Sequence, residues 1–97
     1  MRCKDEDIAN KAATYMEEIA RNSNFGYSQI NRWAGYNSIK ANGGKVSGAC
    51  GDFDCSSLVI SCYVLAGTPN LKAGSGYTGN MKSLFMNTGI FEVYTDN

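Results

Sequence analysis

The stretch Gly51-Asp52-Phe53-Asp54-Cys55-Ser56-Ser57-Leu58-Val59-Ile60 decides the fold, because it predicts a turn that runs directly into a helix. Asp54 suits the N-cap position, where its carboxylate can accept hydrogen bonds from free backbone N–H groups of the first turn. Cys55 then occupies the first helical position, where those N–H groups and the helix dipole favour an anion such as a thiolate. The apolar residues behind it recur at helical spacing: Leu58, Val59, Cys62, Leu65 and Ala66. Gly67 and Pro69 end this pattern, which predicts a helix from about 54 to 66.

The place of Cys55 in this pattern supports two interpretations. Most free cysteines are small buried hydrophobic residues, but a cysteine at the start of a helix is also a candidate nucleophile. Ser56 follows it in the first turn, and the backbone N–H groups of Cys55 and Ser56 are candidates for an oxyanion hole. Cys62 is predicted to point into the core and to be inert.

Residues 5–22 predict an amphipathic helix that begins with an acidic turn. The segment 25–33 that follows is predicted to be irregular and contains four candidate site residues: Tyr27, Gln29, Arg32 and Trp33. In a functional interpretation they line a groove beside Cys55, and Tyr27 or Gln29 donates a hydrogen bond to an oxyanion. In a structural interpretation Tyr27 and Trp33 anchor the core, and Arg32 pairs with Asp52 or Asp54.

Residues 34–50 are rich in Gly, Asn and Ser and predict a long loop. Asn42-Gly43-Gly44 is a turn signal that also permits a small hairpin. Long loops in compact domains are often functional, so this segment is a candidate lid over Cys55 or a binding surface. A solvent-exposed loop without function is the alternative.

The C-terminal part predicts a loop over 68–77, a short helix and a strand. The helix is expected to start at Thr78 and to end at Asn87-Thr88-Gly89. Residues 90–95 are β-branched and aromatic, which predicts a strand. Because a lone strand has exposed edges, we expect it to pair with a hairpin from 34–50, with another chain, or with further parts of a larger domain.

Composition excludes several function classes. The net charge is zero, which argues against nucleic-acid binding through a basic surface. No apolar run approaches the roughly 20 residues that span a bilayer, and the charged N-terminus is unlike a signal peptide, so we expect a cytoplasmic protein. That location argues against disulfides among the four cysteines, and the Cys spacing lacks the pairs that zinc requires. We therefore predict neither a metal nor a cofactor.

The motif Asp54-Cys55-Ser56-Ser57-Leu58-Val59 resembles the nucleophile motif of NlpC/P60-type cysteine peptidases and amidases, especially those of phage endolysins. Three further elements are similar to the same group: Gly26-Tyr27-Ser28-Gln29, Arg32-Trp33, and Tyr77-Thr78-Gly79-Asn80-Met81 followed by Gly89. The resemblance covers the front half of the family domain and implies that Cys55 is the nucleophile. It also implies that the first helix lies against the nucleophile helix, that 34–50 is an insertion, and that the protein reaches the cell wall at host lysis.

The resemblance implies a peptidoglycan hydrolase, but members of the family use a histidine as general base, and this sequence contains none. Three hypotheses follow. The chain is a cell-wall hydrolase whose base comes from elsewhere, or a phage-encoded binding protein that inhibits a bacterial protein, or a piece of a longer lysin. For the fold we predict one α+β domain over 1–97, with three helices and a short antiparallel sheet. The predicted site comprises Cys55, Asp54 and Ser56 together with Tyr27, Gln29, Arg32 and Trp33.

Overall fold

The computed structural model describes residues 2–69, 71–73, 80–89 and 91–92. The elements in chain order are β1 (Arg2–Cys3), α1 (Glu6–Arg21), β2 (Phe25–Tyr27), α2 (Ala34–Ala41), β3 (Gly51–Phe53), α3 (Cys55–Leu65), α4 (Met81–Met86) and β4 (Phe91–Glu92). The predicted α+β class is confirmed. The described residues form four helices, one more than the three expected.

Helix α1 forms where the sequence predicts it. The Asp5 carboxylate caps it by accepting a hydrogen bond of 3.1 Å from the backbone N–H of Ile8. Two acidic residues in the first turn face the positive end of the helix dipole. Ala12 and Ile19 are buried on the inner face, and that face packs along α3. The predicted contact between these two helices is therefore confirmed.

Helix α3 is the centre of the molecule. One core cluster joins it to α1, α2 and β3 through buried residues that include Ala12, Ile39, Phe53 and Cys62. A second cluster on its other side joins Ile60 to Leu71 and Phe85. Because α3 is covered on two sides, it is apolar nearly all round rather than along a single stripe. Ile60, which lies outside the predicted stripe, is fully buried.

The expected loop over 34–50 is wrong in its first half, because Ala34–Ala41 is helix α2. Tyr36 and Ile39 are buried on its inner face. Gly35 permits the close approach, since a Cβ at this position would overlap the ring of Phe53. A Cβ at Gly51 would similarly lie 2.6 Å from the backbone nitrogen of Gly35. The two glycines thus let α2 lie directly against β3.

The possible hairpin at Asn42-Gly43-Gly44 is also wrong. These residues end α2: the Asn42 N–H donates to Ile39 O at 3.1 Å, and Gly43 and Gly44 turn the chain with φ of 73° and 82°. Positive φ favours glycine, which explains the Gly-Gly pair without any strand on either side.

The sheet beside Cys55 is parallel and was not predicted, whereas the one short sheet expected from the sequence was antiparallel. Strand β2 pairs with β3 in the register Phe25↔Gly51, Gly26↔Asp52 and Tyr27↔Phe53. Helix α2 lies between these strands in the chain, and such a crossover is the usual way to connect parallel neighbours. Segment 25–27, expected to be irregular, is therefore a strand.

A second, antiparallel pair joins the two ends of the described chain. Strand β4 pairs with β1 in the register Arg2↔Glu92 and Cys3↔Phe91. Part of the strand predicted at 90–95 is thus confirmed, but its partner is the N-terminal strand and not a hairpin from 34–50. Ile90 and residues 93–95 lie outside the described residues.

Helix α4 and its turn complete the second core cluster. Phe85 is 1% exposed, and its ring centroid lies 5.4 Å from that of Tyr63 on α3. Asn80 occupies the N-cap, whereas Thr78, expected there, falls outside the described residues. Gly89 has a φ of 80° and follows the predicted end of the helix. In the part of the chain that the structure describes, no helix is both long enough and apolar enough to cross a bilayer.

Candidate functional site

The turn from β3 into α3 holds the start of the helix rigidly. Oδ1 of Asp54 accepts a hydrogen bond of 2.8 Å from the backbone N–H of Ser57. The Ser57 hydroxyl in turn accepts one of 2.8 Å from the backbone N–H of Asp54. This reciprocal arrangement is a capping box with serine in the third helical position. The predicted N-cap role of Asp54 is thus confirmed.

Arg32 braces this turn from the other side. Its Nε lies 2.9 Å from Oδ2 of Asp54, and its Nη2 donates to the hydroxyl of Ser56 at 2.6 Å. The guanidinium also stacks over the ring of Trp33, 5.1 Å from its centroid. Both charged side chains of the ion pair are largely buried, at 19% and 15% exposure. The structural interpretation of Arg32, in which it pairs with Asp54, is therefore confirmed.

The charge on Asp54 is stabilised by these contacts. Burial alone would raise the pKa of this carboxyl group. Hydrogen bonds from Ser57 and the adjacent Arg32 guanidinium outweigh that effect and hold the pKa below its ordinary value of 3.8. Asp54 is therefore an anion at neutral pH and serves the helix cap and the ion pair together.

Cys55 is exposed and borders a groove of about 240 Å³. The groove lies between the end of α1, strand β2 and the start of α3. Its lining is mainly apolar and comprises Ile19, Ala20, Asn22, Phe25, Gly26, Tyr27, Phe53, Asp54, Cys55 and Leu58. The structure therefore excludes the interpretation of Cys55 as a small buried hydrophobic residue.

Two backbone N–H groups are available beside Cys55. The cap takes up the N–H of Ser57, and the N–H of Leu58 donates to Asp54 O at 3.0 Å. The N–H groups of Cys55 and Ser56 have no hydrogen-bond partner within the described residues, as expected for the first turn of a helix. This turn can therefore donate to an anion next to the thiol.

Tyr27 and Gln29 lie at the rim. Tyr27 is 66% exposed and lines the groove with Cys55, so its predicted role as a core anchor is wrong. Nε2 of Gln29 donates to the Tyr27 hydroxyl at 3.4 Å. Gln29 is exposed and does not line the groove itself. Its predicted donation to an oxyanion stays a prediction.

Trp33 belongs to the core side of the site. It is half-buried, packs against both core clusters, and lies edge-on to Tyr36 with ring centroids 6.5 Å apart. It does not line the groove beside Cys55. The structural interpretation of Trp33 as a core anchor is confirmed. Trp33 is connected to the site through the Arg32 guanidinium, which stacks over its ring.

Two features of the site were not predicted from the sequence. Gly26 lies opposite Asp52, and a Cβ at this position would be 2.8 Å from Oδ1 of that carboxylate. Leu58 and Phe53 also line the groove. Gly26 belongs to the motif Gly26-Tyr27-Ser28-Gln29. The reason for a glycine at this position is the Asp52 carboxylate on the neighbouring strand, a contact that the motif alone does not reveal.

The other cysteines differ from Cys55 in their surroundings. Cys62 is fully buried, and burial raises its pKa to about 12, in agreement with its predicted inertness. Cys50 is exposed, and Cys3 is half-buried with its thiol donating to Asp5 O at 3.3 Å. Among the residues that the structure describes, no group of three or more His, Cys, Asp or Glu side chains is placed to hold a metal ion.

Comparison with known families matches this sequence to the endolysin-like domain over residues 1–97. The chain belongs to the endolysin-like domain family. Membership relates this endolysin-like domain to the lysins of bacteriophages and supports the broader part of the resemblance noted in its sequence. Searches of curated proteins and of solved structures found no match. The narrower similarity to NlpC/P60 peptidases stays a prediction.

Proposed function

We propose that this endolysin-like domain carries the nucleophile of a thiol hydrolase that cleaves peptide amides of peptidoglycan. The observation that carries the proposal is the exposed Cys55 thiol in the first turn of α3, bordering the apolar groove. The proposal includes synthesis in the bacterial cytoplasm and access to the cell wall at host lysis. NlpC/P60-type cysteine peptidases are the narrower class to which we assign it.

The proposed reaction uses the exposed thiol and the free N–H groups of this turn. The Cys55 thiolate attacks the amide carbon, a C–S bond forms, and the C=O electron pair moves to oxygen. The N–H groups of Cys55 and Ser56 donate to that oxyanion. The intermediate then collapses with loss of the amine, which takes up a proton. Water hydrolyses the resulting thioester and regenerates the thiol.

The proton transfers need a group that this sequence lacks. An imidazole is the usual acceptor for a cysteine thiol and the usual donor to a leaving amine, and the 97 residues include no histidine. Asp54 is occupied as a cap and as the partner of Arg32. The proposed base is therefore a histidine supplied from outside these residues.

An activated ester tests the nucleophile without that base. A p-nitrophenyl ester of a short peptide has a good leaving group, so it acylates Cys55 without a general acid. The protein carries Cys3→Ser and Cys50→Ser, and Cys55→Ser is the matched control. We expect release of nitrophenol, an acyl adduct on Cys55 by mass spectrometry, and faster acylation when free imidazole replaces the missing base.

The outcome that contradicts the proposal is equally concrete. Two single variants give the two rates: Cys55 is measured in the Cys50→Ser protein and Cys50 in the Cys55→Ser protein. The hydrolase is refuted if Cys55 reacts no faster than Cys50 and if imidazole changes neither rate. Cys50 is the appropriate comparison because it is also exposed but does not line the groove.

A second candidate function, a phage-encoded inhibitor that binds a bacterial protein, is supported by the exposed turn that follows β2. Ile30 is 92% exposed and Tyr27 is 66% exposed. The hydroxyl of Ser28 fixes this turn by accepting hydrogen bonds from the backbone N–H groups of Ile30 and Asn31. A rigid turn that presents apolar side chains suits a protein contact.

Affinity purification from a bacterial host distinguishes this candidate. A protein target is expected to bind the wild type and Cys55→Ser equally and to be lost with Ile30→Glu. Met86→Glu is the control, because Met86 is 40% exposed and lies on α4. If no protein depends on Ile30 for retention, the inhibitor function is rejected.

A further inference from the structure

Arg32 contacts both residues that flank Cys55 in the chain. Its Nη2 donates a hydrogen bond of 2.6 Å to the hydroxyl of Ser56, and its Nε lies 2.9 Å from Oδ2 of Asp54. The Ser56 hydroxyl in turn donates to Oδ1 of Asp54 at 3.2 Å. These three side chains therefore form a closed set of contacts that links the residues on either side of the thiol.

The contact between Arg32 and Ser56 is the directional one. Among the described residues, Nε of Arg32 has no aligned hydrogen-bond acceptor, so its contact with Asp54 is an ion pair that constrains distance more than direction. The Ser56 hydroxyl directs its proton toward Asp54 and accepts the Arg32 hydrogen bond on a lone pair. Because Ser56 is also only 4% exposed, the orientation of its side chain is fixed from both sides.

Arg32 is itself held in place by the turn between β2 and α2. Its guanidinium lies over the ring of Trp33, 5.1 Å from the centroid, and Trp33 packs against both core clusters. The residues before it are fixed by the Ser28 hydroxyl, which accepts hydrogen bonds from the backbone N–H groups of Ile30 and Asn31. The Arg32 side chain is only 19% exposed. The core therefore fixes the guanidinium, and the guanidinium fixes the turn that carries the thiol.

The two candidate oxyanion donors belong to the peptide units next to these contacts. The N–H of Cys55 is part of the planar unit 54–55, and the N–H of Ser56 is part of the planar unit 55–56. Each unit therefore ends on a residue whose side chain Arg32 contacts. Stabilisation of an oxyanion requires donors that are already aimed at it. Arg32 does not line the groove beside Cys55, so any effect on the reaction passes through these neighbours.

We propose that Arg32 is a positioning residue of the hydrolase, which acts through the Ser56 hydroxyl to hold the N–H groups of Cys55 and Ser56 toward the oxyanion. The proposal rests on the proposed hydrolase function. An arginine suits this role because its planar guanidinium presents several donors in a rigid fork and stacks on an aromatic ring. A lysine keeps the charge but offers one ammonium group on a flexible stem. Arg32→Lys is therefore expected to retain the charge and to lose the positioning.

Two reactions of the same thiol test this role in a parent protein that carries Cys3→Ser and Cys50→Ser. With p-nitrophenyl acetate, the Cys55 thiolate forms a C–S bond through an oxyanion intermediate, and p-nitrophenolate leaves. With iodoacetamide, the same thiolate displaces iodide and no oxyanion forms. Both rates are proportional to the fraction of thiolate, so the ratio of acylation to alkylation at one pH does not depend on that fraction. The ratio therefore reports the oxyanion donors.

Arg32→Lys is expected to lower this ratio by about 10-fold, within the roughly 10²-fold that a misplacement of about 1 Å can cost. Ser56→Ala removes the acceptor but leaves the arginine, and it is expected to lower the ratio similarly. The double variant is expected to match the lower of the two single variants, because both changes break the same contact. Arg21→Lys is the control: Arg21 also pairs with a carboxylate, that of Glu17 at 2.8 Å, but lies outside the groove and leaves the ratio unchanged.

The outcomes distinguish this role from the hydrolase function itself. Cys50, measured in a protein with Cys3→Ser and Cys55→Ser, gives the ratio for an exposed thiol outside the groove. If Cys55 of the parent has the same ratio, the hydrolase and the positioning role are both refuted. If its ratio is higher but Arg32→Lys leaves it unchanged, or if the two losses multiply in full, only the positioning role is overturned. Circular dichroism verifies folding, and Ser56→Ala alone decides the test if Arg32→Lys unfolds.

Discussion

Asp54 is the residue whose replacement probes the site geometry most directly. Oδ1 caps α3 through the N–H of Ser57, and Oδ2 lies 2.9 Å from Nε of Arg32. Asp54→Ala removes the cap and the ion pair together. Asp54→Asn retains an oxygen that can cap the helix but loses the charge. The two variants therefore separate capping from ion pairing.

The expected loss of stability follows from these contacts. Loss of an N-cap costs about 0.5–2 kcal/mol. Breaking an exposed ion pair costs about 0.2–1 kcal/mol, and breaking a buried one about 3–5 kcal/mol. At 19% and 15% exposure the Arg32–Asp54 pair lies between these limits, at about 1–3 kcal/mol. We expect Asp54→Asn to lose about 1–3 kcal/mol and Asp54→Ala about 1.5–5 kcal/mol.

The stabilisation by Asp54 depends on pH in a defined direction. Its pKa is lower in the folded protein than the ordinary value of 3.8, so the unfolded chain binds this proton more readily. The contribution is therefore complete above about pH 3.8 and is lost as the pH falls through the folded pKa. The difference in unfolding free energy between wild type and Asp54→Asn is expected to shrink in that acidic window.

Urea denaturation followed by far-UV circular dichroism measures these differences. Glu18→Gln, an exposed position on α1 outside its first turn, is the control and is expected to change stability by less than about 0.5 kcal/mol. A change within about 0.5 kcal/mol for Asp54→Ala would refute the bracing of this turn. Equal losses for Asp54→Ala and Asp54→Asn would show that the cap contributes nothing.

Three further substitutions or modifications test the packing. Gly35→Ala is expected to lower the free energy of unfolding by about 1–3 kcal/mol, because its Cβ meets the ring of Phe53. Thermal unfolding measures this loss. If the effects of Gly35→Ala and Phe53→Leu are additive in the double variant, the contact is contradicted. Phe85→Ala is expected to cost about 3–5 kcal/mol in urea denaturation, whereas the exposed neighbour Met86→Ala costs less than about 0.5 kcal/mol; similar values would rule out the second core cluster. Iodoacetamide at neutral pH is expected to leave Cys62 unmodified until urea unfolds the chain, because burial raises the pKa of its thiol to about 12. Peptide mapping locates the modified cysteines. Labelling of Cys62 in the native protein would disprove its burial.

Local signals in the sequence predicted the two long helices well. For α1 the signal was the acidic first turn and an apolar face, and for α3 it was Asp54 before an apolar run. Both depend on interactions between residues close in the chain, namely caps and helical periodicity. Within the site, the pairing of Arg32 with a carboxylate at 52 or 54 was also predictable from charge alone.

Helix α2 and the strands were harder to predict for a physical reason. Gly, Asn and Ser disfavour helix by intrinsic propensity, yet Ala34–Ala41 is helical because Tyr36 and Ile39 are buried against β3. Gly35 is favourable there only because the ring of Phe53 lies where a Cβ would project. Strands of two or three residues are too short for a periodic pattern.

The sequence by itself determined the start of α3, the cap at Asp54 and the place of Cys55 in the first helical turn, because these depend on neighbours within four residues. Only the tertiary structure decided what surrounds that thiol. The groove requires α1 and β2 to come against α3, and the parallel pairing of β2 with β3 requires the crossover through α2. The segment around Gly44 likewise lies against α1, where the Tyr15 hydroxyl donates a hydrogen bond to Gly44 O across 29 residues of chain. Such contacts join residues far apart in sequence, where local propensity carries no information about pairing.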